Sequence, residues 1–188
     1  MGIIIGVSNR HVHLSEEVFN KLFNNKVMEE VRTLTQIGEF ASNLKVSLKT
    51  DKGIIDNVRV LGPIRNYTQV EISKTDAYKL GLNPPVRESG EIEGSENITI
   101  IGDNEVYVES CCIIASRHIH AHPNDIERYN LDPNKKYSVR VLGEKGGVMD
   151  NVSIKVSDKY VFEMHIDTDD ANAHLLVSGS EGIILDDN

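Results

Sequence analysis

Two stretches of this chain carry residues suited to holding a metal ion. Ser8-Asn9-Arg10-His11-Val12-His13 and Ser116-Arg117-His118-Ile119-His120 each contain Arg-His, a β-branched residue, then His. On a strand, alternation sends both imidazoles of a pair to one face, about 6–7 Å apart. Two imidazoles converging from one face form half of a typical zinc or other transition-metal site. A lone His-x-His reads better as two hydrogen-bonded core histidines than as a metal clip. A second copy in the same context argues against that plainer reading.

The pairs belong to a larger duplication. Asp56-Asn57-Val58 returns 94 positions later as Asp150-Asn151-Val152. The same offset aligns Glu71-Ile72 with His165-Ile166, and Asp76-Ala77 with Asp170-Ala171. The histidine pairs lie 107 positions apart, so the first copy holds 13 extra residues, assigned to the segment 26–40. Each copy thus offers three candidate ligands: His11, His13 and Glu71 in one, His118, His120 and His165 in the other. Three protein ligands leave a coordination position open for water or substrate, as in catalytic sites, whereas structural zinc sites are usually closed by four. Arg65 aligns with Lys159, keeping a basic residue six positions before each distal candidate, where it could meet a phosphate. Glu71 also reads as an ion-pair partner of Arg65 or Arg59. Arg10 and Arg117 read either as positioning the site or as bracing carboxylates.

The elements that must carry these residues are short. Ile3-Ile4-Ile5 and Cys111-Cys112-Ile113-Ile114 lead into the two pairs and predict buried strands over 3–8 and 105–114. Alternation over 45–49, and runs at 56–61, 68–72, 98–101, 137–142, 148–156 and 161–166, predict further strands. Gly62-Pro63 is expected to break the chain after the second of these. Ser15 caps a helix opened by Glu16-Glu17, with Val18, Phe19, Leu22 and Phe23 on its apolar face. His122, just before Pro123, stands at the matching place and reads as a cap substitute, not a further ligand. Short helices are also predicted over 75–80, closed by Gly81, and over 169–175. Asp167, Asp169 and Asp170 read as a capped helix start, since EF-hand spacing is absent; His174 receives no functional assignment. Many short strands with few helices predict a mainly β fold built of small barrels.

Composition narrows the function classes. A net charge of −9 argues against non-specific nucleic-acid binding, which relies on basic surface. A local cluster of metal and arginine could still hold an anion. No apolar run approaches the ~20 residues of a spanning helix, and no signal-peptide pattern opens the sequence. Cys111 and Cys112 are the only cysteines and are adjacent, which predicts no disulfide and a reducing, cytoplasmic setting. A TIM-barrel metallohydrolase typically needs ~250 residues against the 188 here. The metalloprotease pattern His-Glu-x-x-His and a Walker A loop are both absent.

Five stretches then resemble one family. Ser-Asn-Arg-His-Val-His-Leu-Ser (8–15), Val-Arg-Val-Leu-Gly-Pro-Ile-Arg-Asn-Tyr-Thr-Gln-Val-Glu-Ile-Ser (58–73), Pro-Val-Arg-Glu-Ser-Gly (85–90), Ala-Ser-Arg-His-Ile-His (115–120) and Glu-Met-His-Ile-Asp-Thr-Asp (163–169) are similar to the PduL-type phosphate acyltransferases, also called phosphate propanoyltransferases. The resemblance implies two small β-barrels with short helices and the active site at their junction. It also implies two divalent metal ions, usually zinc, and interconversion of acyl-CoA plus phosphate with acyl phosphate plus CoA. By position it implies metal ligands at His11, His13, Glu71, His118, His120 and His165, a phosphate-contacting Arg65, and Ser8 near the metals. One barrel is expected over 10–115, the other from 1–9 plus 116–188.

Relatives bound for bacterial microcompartments usually carry an N-terminal extension, and this sequence begins at its first strand. The expectation is therefore a free cytosolic enzyme, with acetyl-CoA as well as propanoyl-CoA as substrate. Expected partners are acyl-CoA and inorganic phosphate, with no nucleic acid and no membrane; a homodimer is left open. The mechanism expected is direct transfer, in which Arg65 and one metal orient phosphate. The other metal takes charge developing on the carbonyl oxygen or the CoA sulfur. Cys112, between apolar flanks, reads as a core residue and not as an acyl-carrying nucleophile. The alternatives are a non-enzymatic metal-binding β-barrel module, a metal-dependent thioesterase, and a bicupin-like oxygenase. The last fails in the second copy, where Asn124 stands in the place of Glu17. Arg87-Glu88-Ser89-Gly90 reads evenly as part of a cleft or as a turn.

Overall fold

Short apolar runs punctuated by turn residues give strands that pair locally and close on themselves. The computed structural model describes residues 1–185. Its first half holds β1 (Gly2–Ser8), β2 (His11–Ser15), α1 (Glu16–Leu22), β3 (Glu30–Thr33), β4 (Phe40–Lys49), β5 (Ile54–Arg65), β6 (Gln69–Glu71), α2 (Lys74–Leu80) and β7 (Val86–Arg87). Then follow β8 (Glu96–Ile101), β9 (Glu105–Ala115), β10 (His118–Ala121), α3 (Pro123–Tyr129), β11 (Tyr137–Val141), β12 (Gly147–Val156), β13 (Glu163–Asp167), α4 (Thr168–His174) and β14 (Ser180–Leu185).

The chain divides into two units, one over Asn9–Ala115 and one joining Met1–Ser8 to the chain from Ser116 on. In the first, β4, β5, β2, β6, β9 and β8 pair in a ring, with β8 returning to β4. In the second, β11, β12, β10, β13, β1 and β14 form a closed barrel. Both follow one plan. The histidine strand lies parallel to one neighbour (β5 or β12) and antiparallel to the other (β6 or β13). Closure removes the open edges on which strands of different molecules could pair. Each unit has its own apolar core. Val12, Leu14, Val46, Leu48, Val60, Val70 and Ile100 fill the first, and Ile5, Ile119, Val139, Met149, Val152 and Met164 fill the second.

The repeated Asp-Asn-Val proves structural. Asn57 and Asn151 adopt φ of 61° and 62° within β5 and β12, a left-handed conformation that asparagine tolerates better than most residues. Each sits where the register with the neighbouring strand shifts, so the motif marks a β-bulge. The preceding aspartates accept from Ser47 and Ser138 hydroxyls at 2.6 Å in both copies.

Two features depart from the sequence expectation. β5 does not stop at Gly62-Pro63 but runs on to Arg65. Gly62 pairs with Phe40 of β4, and the Phe40 ring occupies the space where a Cβ would project. β14 and the two-residue β7 were not anticipated; β14 is defined by its pairing with β1 and β11, and β7 by pairing with β9. Within 26–40, β3 pairs with β4 outside the ring and has no counterpart among the described residues of the second unit. No helix among the described residues is long and apolar enough to cross a membrane.

Candidate metal and active site

Alternation decides where the histidines of the first unit point. Val12 and Leu14 are wholly buried in the core, so His11 and His13 take the opposite face of β2. Antiparallel pairing then sets Glu71 of β6 directly across from His11. One donor atom from each of His11, His13 and Glu71 lies within 4.8 Å of the others. The His11 Nδ1 is 2.8 Å from the Asn9 carbonyl, which can only accept, so that nitrogen carries the hydrogen. The Nε2 is left facing Glu71 Oε2 at 3.5 Å.

Burial pulls the His11 pKa down, but the charge and hydrogen bond of Glu71 and the Asn9 carbonyl outweigh it and raise it above the usual value. Burial, followed by the charges of His11 and Arg65, drives His13 well below its usual range, so it is neutral. The His13 Nδ1 is buried with no hydrogen-bond partner. An interior polar atom left this way is costly, and a metal ion bound to the ring would give the imidazole an energetic reason to be there. Two imidazoles and a carboxylate also form a donor set that suits zinc. The residues fit a divalent ion.

A hydrogen-bond chain supports this triad. Gln69, fully buried, donates from Nε2 to Glu71 Oε1 at 2.6 Å and to Ser89 Oγ at 2.8 Å, and its Oε1 accepts from the Gly90 N–H at 2.8 Å. Arg65 donates from Nη1 to Ser89 Oγ and to the Tyr67 hydroxyl, and from Nη2 to Glu39 Oε1 at 2.9 Å. Its guanidinium is thereby fixed near the triad, and its charge is felt at both His11 and His13.

The second unit repeats the arrangement with different chemistry. Ile119 and Ala121 enter the core, and His118 lies across from His165 of β13. Donor atoms of His118, His120 and His165 again lie within 4.8 Å of one another. The His118 Nδ1 contacts the Ser116 carbonyl at 2.8 Å, matching His11 and Asn9. Tyr160 stacks on His120 with ring centroids 4.1 Å apart. The His165 Nε2 lies 2.8 Å from Glu163 Oε2.

A family model described as phosphate propanoyltransferase matches residues 4–177, a span that includes both triads. The chain belongs to the phosphate propanoyltransferase family. It is 49% identical over 183 residues to the phosphate propanoyltransferase of Thermotoga maritima, covering 95% of this chain and 86% of that protein. It is 44% identical to that of Citrobacter freundii, over 91% of this chain and 82% of the relative. Against that of Rhodopseudomonas palustris the identity is 42%, over 91% of this chain and 76% of the relative.

Within this family fold the other singled-out residues take definite places. Arg10 and Arg117 brace carboxylates: Arg10 Nε meets Asp76 at 2.8 Å, and Arg117 grips Asp170 through Nε and Nη2 at 2.7 and 2.6 Å. His122 caps α3, its Nδ1 accepting from the Asn124 N–H. Asp167 caps α4 by accepting from Asp169 and Asp170. Arg59 donates to the Ser42 carbonyl. Of the 87–90 stretch, Ser89 and Gly90 reach the Gln69 network, while Arg87 bonds to the Val86 carbonyl. Ser8 ends β1 opposite Asp167. Lys159 is exposed on the β12–β13 connection. His174 contacts the Lys145 carbonyl. Cys111 and Cys112 are buried thiols. Sequence reasoning missed Glu39, Tyr67, Gln69, Tyr160 and Glu163. A signal existed for two of them, because Gln69 and Glu163 obey the 94-residue offset and stand two positions before the distal candidates.

Proposed function

We propose that this acyltransferase moves a propanoyl group between CoA and inorganic phosphate, with acetyl-CoA as a second substrate, and that each triad holds one divalent ion, zinc being suited to the donors. The observation that carries this reading is Arg65, held by Glu39, Ser89 and Tyr67 beside His11, His13 and Glu71. A guanidinium fixed at several donors keeps its fork set for a tetrahedral anion and loses little freedom on binding it. Metal ions, when bound, supply Lewis acidity toward phosphate, the thioester carbonyl and the sulfur.

Arg65 binds and aims phosphate. A phosphate oxygen forms a bond to the thioester carbonyl carbon, the C–S bond breaks, and sulfur leaves with the electron pair as thiolate, giving acyl phosphate and CoA. Holding both reactants in line turns a bimolecular encounter into an oriented step. Cys112 takes no part, since burial keeps its thiol protonated. A cytoplasmic setting, where both thiols stay reduced, belongs to the same proposal.

The test supplies propanoyl-CoA and phosphate and measures free thiol and propanoyl phosphate together. Equal amounts of both are expected. Thiol release without phosphate would indicate a thioesterase. Arg65→Ala is expected to raise the KM for phosphate at least about tenfold, the loss of a charged hydrogen bond, with metal content unchanged. Loss of the metal in that variant contradicts the role given to Arg65.

A further inference from the structure

We propose that Glu163 is the positioning residue of the second triad, its carboxylate holding the Nε2 hydrogen of His165 so that Nδ1 faces the ion. This rests on the reading that the triads hold metal.

Three observations carry it. The Glu163 carboxylate lies 2.8 Å from His165 Nε2, and the residue is buried. A metal-bound imidazole commonly donates its other N–H to a carboxylate or carbonyl, which fixes its tautomer and raises its basicity. His118 meets this pattern through the Ser116 carbonyl, and His165 meets it through Glu163.

The second observation is a niche. Gly6 of β1 stands across from His165, and a Cβ there would lie 3.0 to 3.2 Å from the carboxylate atoms of Glu163. Gly6 has no left-handed φ that would call for glycine. A glycine inside a strand often marks a close approach by another group. In the first unit the residue across from Glu71 is Ile113, with a full side chain.

The third is the exchange of charge between the units. The first has Gln69 followed two positions on by Glu71, and the second has Glu163 followed by His165. Gln69 and Glu163 both lie across the ladder from the second histidine of their pairs, His13 and His120. Each triad region therefore holds one carboxylate at this pair of positions. In the first it is offered as a ligand and steadied by an amide. In the second it steadies the ligand and supplies its charge one bond further out.

The experiment titrates metal-stripped protein with zinc against a chromophoric chelator, using the wild type, His165→Ala and Glu163→Gln. Two sites are expected in the wild type, one of which disappears in His165→Ala. In Glu163→Gln that same site is expected to weaken about 10- to 100-fold, with the other unchanged and the circular dichroism spectrum retained. Gly6→Ala, which keeps the carboxylate but crowds it, is expected to weaken the same site and no other. Two unchanged sites in Glu163→Gln overturn the inference alone. Complete loss of the site would make Glu163 a ligand and overturn the positioning role. A wild type that binds no zinc defeats the metal reading itself, and the inference with it.

Discussion

A buried histidine can be a core residue or a ligand, and the partner of its second ring nitrogen helps to tell which. His11 and His118 both turn Nδ1 to the carbonyl two residues back, which leaves Nε2 as the candidate donor to a metal. Gln69 plays a comparable part for Glu71. Gln69→Leu should weaken zinc binding in the first unit about 10-fold, read by chelator competition. It also strands the Gly90 N–H, at a cost of about 1–3 kcal/mol in denaturant unfolding. The cysteines make a contrary prediction. Burial pushes the Cys111 thiol up to about 12 and raises Cys112 as well, so neither forms thiolate near neutral pH. Native protein should resist iodoacetamide at pH 8 and react once unfolded. Fast alkylation of the native state would return Cys112 to consideration as a nucleophile.

At the level of elements, each site is served by a strand, a cap and a seven-residue helix in sequence. Ser15, Ser73, His122 and Asp167 each accept a backbone N–H from the first turn of their helix. Replacing Asp167 by Ala should cost about 0.5–2 kcal/mol, measured by denaturant unfolding; no change would mean that Asp167 does not serve as a cap. Gly62→Ala, which drives a methyl into the Phe40 ring beside the end of β5, should cost about 1–3 kcal/mol. These elements were legible because their signals are local: alternation in β2 and β10, caps at Ser15 and His122, the repeat of Asp-Asn-Val. What was hidden depends on distant partners. Gly62-Pro63 reads as a stop, yet Phe40 of β4 pairs with Gly62 and Ser15 of β2 pairs with Arg65, which carries β5 past it. β14 is six residues long with Gly182 inside it, and pairing with β1 and β11 is what makes it a strand. Glu39 lies in the inserted segment, so no repeat could point to its contact with Arg65.

The whole molecule presents one plan twice, each unit with a closed ring, a separate core and a triad drawn wholly from its own strands. Residues 9–115 alone should therefore fold and bind one zinc ion, read by circular dichroism and metal counting. An unfolded fragment would mean that this core does not suffice by itself. The difference between the units lies in where the carboxylate sits and in the presence of Arg65, which matches exposed Lys159 in the other copy. The most direct test follows CoA thiol release from propanoyl-CoA with phosphate, in protein stripped of metal and then reloaded. The account predicts no turnover when stripped, recovery that saturates at two zinc ions per chain, and no release without phosphate. Full phosphate-dependent turnover in metal-free protein would contradict it.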